Sequence, residues 1–450
     1  MATRMLLARV LAVLVLAAVA MAVAEAEPRL PAVEQEGVYA VLEAVNPGFP
    51  WRASFPDDLC LAGPHGVSCD DDGGNTSHVV GLSLGYVSEF SANPSCVSPS
   101  PSAAATLLTS GLVAASFPRL RSLFVYGCFV RPGDGTRPLP PLAWLLPTAL
   151  QDLVLVNNPA LSGRLAISAA HLPLLRRLVI ASSGLSGDLP VTAFPSLEQL
   201  VLSGNRFAGR IPNTLIQGLA SVKILDLSSN LLVGGIPGAI GGLPQLVKLD
   251  LSTNRLAGPI PDELGRLATL ELLDLSNNQL TGGVPAALSG MTAIREMYLS
   301  GNRRLGGSVP AEMFAGLKGI SAVGLSDTGL TGTIPASLGE SLHNVTYLGL
   351  DSNLLEGEVP PALGKLAGRV RLHGNHAICV PPEFVAVASR SRIADVPLCN
   401  ATVTRRPVAL PIPLASTAAA ASAEKPAAAA ALLIRMSSCV VVTMFFLVLG

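Results

Sequence analysis

A pattern that repeats about every 24 residues dominates this chain and restricts what it can fold into. The clearest copies read LEQLVLSGNRFAGRIP, VKILDLSSNLLVGGIP, LVKLDLSTNRLAGPIP and LELLDLSNNQLTGGVP, and they begin at Leu197, Val222, Leu246 and Leu270. Further copies begin at Ile294 (with one inserted residue), Ile320 and Val345, and degenerate copies at Leu120, Leu150 and Leu175. One such unit cannot bury its leucine face alone, so the units must stack into a solenoid.

The two halves of the unit predict different local structures. In LxxLxLxxN the leucines alternate with exposed positions, which predicts a strand with one buried face. The asparagine can bond to backbone groups of neighbouring turns. This predicts a ladder through Asn158, Asn205, Asn230, Asn254, Asn278, Asn302, Asn353 and Asn375. We expect the ladder to weaken where Ser183, Thr328 or Cys128 replaces asparagine. The glycine and proline of LxGxIP predict a tight turn and an extended segment, and they argue against amphipathic helices.

This pattern resembles the plant-specific class of extracellular leucine-rich repeats from Val79 to Pro381. The resemblance implies an α/β solenoid with a curved parallel β-sheet on its concave face and a second set of short strands from LxGxIP. Two cysteine-paired segments resemble the caps of plant leucine-rich-repeat receptors. The predicted division is a signal peptide (1–24), an N-terminal cap (25–78), a solenoid of about ten to eleven repeats (79–378), a C-terminal cap (379–400), a low-complexity linker (401–425) and a hydrophobic tail (426–450).

Both ends of the chain are typical of targeting segments. An apolar run that ends in small residues before Glu25 favours a cleaved secretory signal peptide over an uncleaved anchor. The C-terminal tail favours a lipid-anchor signal with Ser416 and Ser422 as candidate attachment sites. A short spanning helix is the alternative, although it would place Arg435 inside the bilayer. The predicted route is secretion to the outer face of the plasma membrane or the cell wall.

Cysteines and glycosylation sequons fit that compartment, in which disulfides form. We expect sequence neighbours to pair, although sequence alone does not fix connectivity. The expected bonds are Cys60 with Cys69, Cys96 with Cys128, and Cys379 with Cys399, which leaves Cys439 in the tail. The sequons begin at Asn75, Asn344 and Asn400.

Catalytic and cofactor motifs are missing from the sequence. HExxH and P-loop patterns do not occur, and the one GxSxG match, GLSLG from Gly81 to Gly85, falls inside the first leucine-rich strand pattern VVGLSLGYV. His373 and His376 lie close together in the sequence. They fall in the degenerate last repeat, where they are expected to be surface residues. The formal net charge of −1 gives no electrostatic case for nucleic-acid binding. We therefore predict a protein that is not an enzyme, with no cofactor and no metal.

The non-leucine positions of each strand form the expected ligand surface. The N-terminal zone is apolar and comprises Phe124, Tyr126, Val154, Val156, Val179 and Val201. Interface centres favour such residues, unless the long segment between Cys96 and Cys128 covers them. The middle zone is an aspartate ladder of Asp226, Asp250 and Asp274, which we expect to be structural. The C-terminal zone is mixed and comprises Glu296, Tyr298, Tyr347, Asp351, Arg369 and Arg371, of which the tyrosines are further ligand candidates.

Two early segments narrow the resemblance. HVVGLSLGYVSEFSANPSC and FPRLRSLFVYGCF resemble the receptor-like-protein group that includes Too Many Mouths and the Piriformospora indica-insensitive proteins. That resemblance implies a cell-surface recognition protein without a kinase, which binds a protein or peptide partner and signals through a receptor-kinase ectodomain. The alternative is a wall-localised inhibitor of a secreted hydrolase such as a polygalacturonase. Such inhibitors generally lack a hydrophobic C-terminal tail, so the tail of this chain favours the hypothesis of a receptor-like protein.

Overall fold

The structure is a computed structural model that describes residues 29–73, 75–85, 96, 102–129, 144–342, 344–366, 368–382 and 396–399. The α-helices are α1 (Ala32–Val45), α2 (Trp51–Ser54), α3 (Leu59–Ala62), α4 (Ala103–Leu108), α5 (Leu112–Ser116), α6 (Asn213–Gln217), α7 (Ala311–Gly316) and α8 (Ser337–Ser341). Turns of 3₁₀ helix span Gly238–Gly242, Asp262–Arg266, Ala286–Gly290 and Pro361–Leu366.

Two series of strands alternate along the chain. The first comprises β1 (Val67–Asp71), β2 (Ser77–Leu84), β3 (Ser122–Tyr126), β4 (Asp152–Val156), β6 (Arg177–Ala181), β8 (Gln199–Val201), β10 (Ile224–Asp226), β12 (Lys248–Asp250), β14 (Leu272–Asp274), β16 (Glu296–Tyr298), β17 (Ala322–Gly324), β19 (Tyr347–Gly349) and β21 (Val370–Arg371). The second comprises β5 (Ser162–Gly163), β7 (Gly184–Asp188), β9 (Arg206–Gly209), β11 (Leu231–Gly234), β13 (Arg255–Pro259), β15 (Gln279–Thr281), β18 (Thr331–Gly332), β20 (Leu354–Glu358) and β22 (Ala377–Cys379).

The first series forms one 13-stranded sheet in chain order, the main sheet. Only its first pair, β1 with β2, is antiparallel. The register sets equivalent residues of successive repeats side by side, as Leu225, Leu249 and Leu273 show. These leucines are fully buried, and they belong to one continuous core. The solenoid predicted from the leucine period is therefore confirmed.

The asparagine ladder forms behind the main sheet. The Asn254 side chain donates from Nδ2 to the carbonyl of Leu227 in the preceding turn and accepts from the backbone N–H of Leu232. The residue before each ladder position adopts a left-handed backbone, as Ser229 does with φ +53°. At this position a short polar residue or glycine carries the lowest steric cost.

The replacements in the ladder behave differently from one another. Beside Ser183 the ladder does weaken, because Oδ1 of Asn205 is buried without a hydrogen-bond partner. At Thr328 the hydroxyl donates to the Leu325 carbonyl of its own turn. Ladder asparagines such as Asn302 also donate to the preceding turn, so Thr328 supplies only part of their hydrogen bonding.

The LxGxIP segments form the second series of strands, on the side of the turn where the main-sheet strands end. They give a six-stranded sheet from β5 to β15, the second sheet, and a separate three-stranded sheet of β18, β20 and β22. The break falls in the repeat that carries the inserted residue, where only an isolated bridge joins Ser308 to Thr331. One extra residue thus interrupts this sheet while the main sheet continues through β16 and β17.

Caps cover the described ends of the core. In the N-terminal cap, α1 buries Val38 and Leu42, and Glu34 accepts from the backbone N–H of Val79 at 2.7 Å. Disulfides join Cys60 to Cys69, Cys96 to Cys128, and Cys379 to Cys399, which are pairs of sequence neighbours. The first and third bonds lie within the caps, and the second lies within the first repeats of the solenoid.

The remaining predicted features lie partly beyond the described residues. Asn75 and Asn344 are exposed, so both sequons are accessible to an oligosaccharide. Asn400, Cys439, the signal peptide and the tail with Ser416 and Ser422 lie outside the described residues. In the described part of the chain, no helix combines the length and apolarity that crossing a membrane requires.

Candidate ligand-binding face

The candidate site is the side of the main sheet that faces away from the leucine core, which is the concave face in solenoids of this kind. Because the register is regular, one row crosses successive strands at equivalent positions. Phe124 stands beside Val154, Val154 beside Val179, and Val179 beside Val201. The structure therefore brings together four of the predicted apolar residues.

These residues form a small cluster that is separate from the core, the apolar patch. It comprises Val154, Val179, Ala181 and Val201, with Phe124, Val156 and Ile224 packed against them. The valines of the row are only 5–9% exposed, since each is covered by its neighbours on adjacent strands. Tyr126, by contrast, is 50% exposed. A partner would therefore contact mainly Tyr126 and the upper surface of the patch.

Ion pairs border the patch along the starts of the strands. Arg177 pairs with Asp152 at 2.6 Å, and its guanidinium lies 5.9 Å from the centre of the Phe124 ring. Arg176, the residue before β6, pairs with Glu198. Because these arginines are neutralised in place, the patch carries no net charge that would attract an ionic ligand.

The aspartate ladder continues the same row from Val201 onwards. Asp226 accepts from the backbone N–H and the hydroxyl of Ser228 at 3.1 and 2.7 Å. Asp250 makes the same two bonds to Ser252. Both aspartates are buried, and each closes the turn that follows its own strand. These hydrogen bonds show that the aspartate ladder has a structural role.

Lys248 lies between two of these carboxylates, a contact that sequence reasoning missed. Its Nζ is 3.2 Å from Asp226 Oδ2 and 3.6 Å from Asp250 Oδ2. Burial, followed by the charges of Asp226 and Asp274, raises the pKa of Asp250 to about 7. Burial likewise raises the pKa of Asp274. The period itself could have revealed Lys248, because it occupies the non-leucine position two residues before Asp250 on the same face of the strand.

The two candidate tyrosines occupy neighbouring rows on strands β16 and β19, so they do not form a direct pair in the sheet. Glycines provide room for their rings. A Cβ at Gly324 would lie 3.0 Å from the Tyr298 ring, and one at Gly349 would lie 3.1 Å from the Tyr347 ring. The Arg371 guanidinium stands 5.1 Å from the centre of the Tyr347 ring. The C-terminal end of the face thus presents aromatic and cationic groups on a floor without side chains.

Comparison with known proteins agrees with this architecture. The leucine rich repeat family profile matches residues 195–256 and 260–303, which are the most regular repeats. In these repeats the chain is similar to plant receptor-like proteins. It is 37% identical to Protein TOO MANY MOUTHS of Arabidopsis thaliana over 28% of this chain, and 33% identical to Receptor like protein 29 of the same plant over 34%. The matches span 23% and 30% of those relatives, less than a third of either.

Solved plant ectodomains share the leucine-rich-repeat fold of this chain. The Arabidopsis receptor kinase HAESA ectodomain, in complex with an IDA peptide hormone ligand, is 25% identical with a TM-score of 0.54. That match covers 78% of this chain and 54% of the HAESA chain. A TDR receptor is 25% identical with a TM-score of 0.53, covering 62% of this chain and 47% of that receptor.

Metal-binding geometry is missing from the described residues, which contain no group of three or more histidine, cysteine or acidic side chains that could hold an ion. His373 is half-exposed and lies 3.5 Å from Asp351. Of the segment between Cys96 and Cys128, residues 97–101 lie outside the described part, whereas residues 102–127 are described and form α4, α5 and β3.

Proposed function

We propose that this protein is a non-catalytic cell-surface recognition protein that binds a peptide or protein partner through its concave face. The observation that carries the proposal is the apolar patch, with half-exposed Tyr126 beside it, on a sheet surface that is otherwise polar. Buried aromatic and aliphatic anchors supply most of the binding energy at protein interfaces. A narrow, uncharged ligand segment suits this surface.

Receptor-like relatives support an action at the cell surface together with a receptor kinase. Two relatives are named receptor-like proteins, Receptor like protein 29 and Receptor-like protein 7, and the HAESA ectodomain was solved in complex with a peptide hormone ligand. We propose that this chain is held at the outer face of the plasma membrane and that a receptor-kinase ectodomain joins its complex. The predicted tail, through a lipid anchor, would supply the tether.

Co-purification with a panel of receptor-kinase ectodomains tests the proposal. The double variant Phe124→Ser, Tyr126→Ser removes the accessible part of the patch. The single variant Tyr126→Ser is measured as well, in case the double variant does not fold. Val191→Ser with Leu354→Ser is a matched control, because those side chains are 65% and 66% exposed and lie off the main sheet. We expect the Tyr126 variants to lose at least about tenfold in affinity, which corresponds to roughly 1.4 kcal/mol.

The same variants distinguish the receptor-like hypothesis from the hydrolase-inhibitor hypothesis. If the Tyr126 variants fold and bind each identified partner as tightly as the control does, the concave patch is not the recognition surface. If the protein instead inhibits a secreted polygalacturonase and the patch variants abolish inhibition, the hydrolase-inhibitor reading replaces the receptor-like one.

A further inference from the structure

The outward face of the second sheet carries an excess of positive charge. We call this set of residues the arginine strip. It runs from β5 to β15 and into the repeat with the inserted residue, which begins at Ile294, and it comprises Arg164, Arg206, Arg210, Arg255, Arg303 and Arg304. Only Asp188 and Asp327 oppose them in the same segments. An excess of four positive charges on one side is notable in a chain whose formal net charge is −1.

The strip differs from the other arginines of the solenoid in its lack of partners. On the main sheet, Arg176 and Arg177 are paired with carboxylates. Within the described part of the chain, Arg303 is the one strip residue with an ion pair, to Asp327 at 2.9 Å. The other five are exposed and have no carboxylate within 4 Å among the described residues. Their guanidinium groups are available to an external anion.

The strand register spaces these arginines regularly. Arg206 stands beside Ser186 of β7, and Ser186 separates it from β5, which ends one residue before Arg164. In the same way, Arg255 stands beside Val233 of β11, which separates it from β9 and the following Arg210. Each arginine pair therefore spans two strand spacings, or about 10 Å. The whole strip extends over six spacings, or about 29 Å.

Glycines of the next strand support two of the long side chains. A Cβ at Gly187 would lie 3.1 Å from Arg164 Cγ, and one at Gly234 would lie 3.0 Å from Arg210 Cγ. These arginines therefore lie along the sheet, with their stems over backbone. The result is a low, flat surface on which charged groups recur at the period of the repeat.

We propose that the arginine strip binds a linear acidic polysaccharide, a polyuronate whose carboxylates recur along a stiff chain. Guanidinium groups bind carboxylates through two parallel hydrogen bonds, which suits arginine better than lysine. A repetitive surface matches a repetitive ligand, and Ser162, Ser186 and Thr281 on the same face offer hydroxyls to sugar hydroxyl groups. The binding surface is separate from the concave face.

An acidic peptide fits this face less well. Strands β7 to β13 are each paired on both sides, so a peptide could add as a strand only at the end strands β5 and β15 and not along the strip. Gly187 and Gly234 leave backbone under two of the arginine stems, which gives a peptide few side chains to contact there. The regular spacing of its arginines is therefore the feature of this face that a ligand can match.

Affinity measurements with the whole secreted protein and an oligogalacturonate test the proposal. The probe is long enough to cover about 29 Å, and its fully methyl-esterified form is the uncharged comparison. The strip variant is Arg206→Gln with Arg255→Gln. The matched control is Arg266→Gln with Lys318→Gln, which removes two exposed charges outside the second sheet. Thermal unfolding verifies that all variants are folded.

We expect the strip variant to bind the oligogalacturonate roughly tenfold more weakly, the control to be unchanged, and added salt to weaken binding. The esterified probe should not bind. The proposal is overturned if the acidic probe does not bind at low salt, or if the control loses as much affinity as the strip variant. It is equally overturned if polyglutamate of the same charge competes as well as the polysaccharide.

Discussion

Replacing Asn254 with alanine is the sharpest test of how the solenoid is held together. The side chain donates to three carbonyls, but those of Leu227, Leu251 and Ser252 each keep another donor. The backbone N–H of Leu232 has only Oδ1 of Asn254 at 3.0 Å, and the replacement leaves this N–H buried and unpaired. A buried unpaired donor costs about 1–3 kcal/mol, and the lost carbonyl bonds add to it. We expect a total loss of about 2–4 kcal/mol.

Urea unfolding followed by circular dichroism measures this loss. Thr253→Ala is the control, because that side chain is exposed in the same turn. Asn205→Ala should lower the free energy of unfolding less than Asn254→Ala does. Oδ1 of Asn205 is buried and accepts no hydrogen bond, so its removal also removes an unsatisfied polar atom. If Asn254→Ala changed the free energy of unfolding no more than Thr253→Ala does, or less than Asn205→Ala, the ladder would not stabilise the fold as argued.

Three further perturbations follow from the structure. Ser229→Gly should stabilise by about 0.5–1 kcal/mol, because Ser229 holds a left-handed backbone at φ +53°, and an unchanged urea midpoint would contradict this. For Asp250, a folded pKa of about 7 means that its contribution to stability is present at low pH and lost as pH rises to 7. Asp250→Asn should therefore gain in Tm relative to the parent between pH 4 and 7, and a flat difference would refute this. Phospholipase treatment of intact cells should release protein ending between Ser416 and Ser422, whereas retention with Gly450 intact would refute a lipid anchor.

The sequence predicts the main sheet well because its signal is steric and periodic. Leucines at fixed offsets can be buried on only one face of a strand, so Leu225, Leu249 and Leu273 had to align. The partner of Thr328 could not be predicted in the same way. Which carbonyl its hydroxyl reaches depends on the stacked backbone, and the observed partner is Leu325 of the same turn.

The candidate site was predicted less completely for a related reason. Alternation places Val154, Val179 and Val201 on the solvent-facing side, but their exposure depends on how closely neighbouring strands approach. Residues that a period marks as outward can still bury each other. The contact of Lys248 with Asp226 and Asp250 likewise crosses strands, so it depends on register and not on any one repeat.

Stability and recognition occupy different positions of the same repeat, which explains why one fold can carry two distinct surfaces. Leucine and asparagine positions carry the core and the ladder, so substitutions there destabilise the fold. The outward positions vary more from repeat to repeat, although Asp226 and Asp250 among them also close turns. Here the outward surface has become apolar around Phe124 and Val179 and cationic around Arg206 and Arg255. Because the two surfaces use different strands of each turn, a variant that abolishes binding at one should leave the other intact.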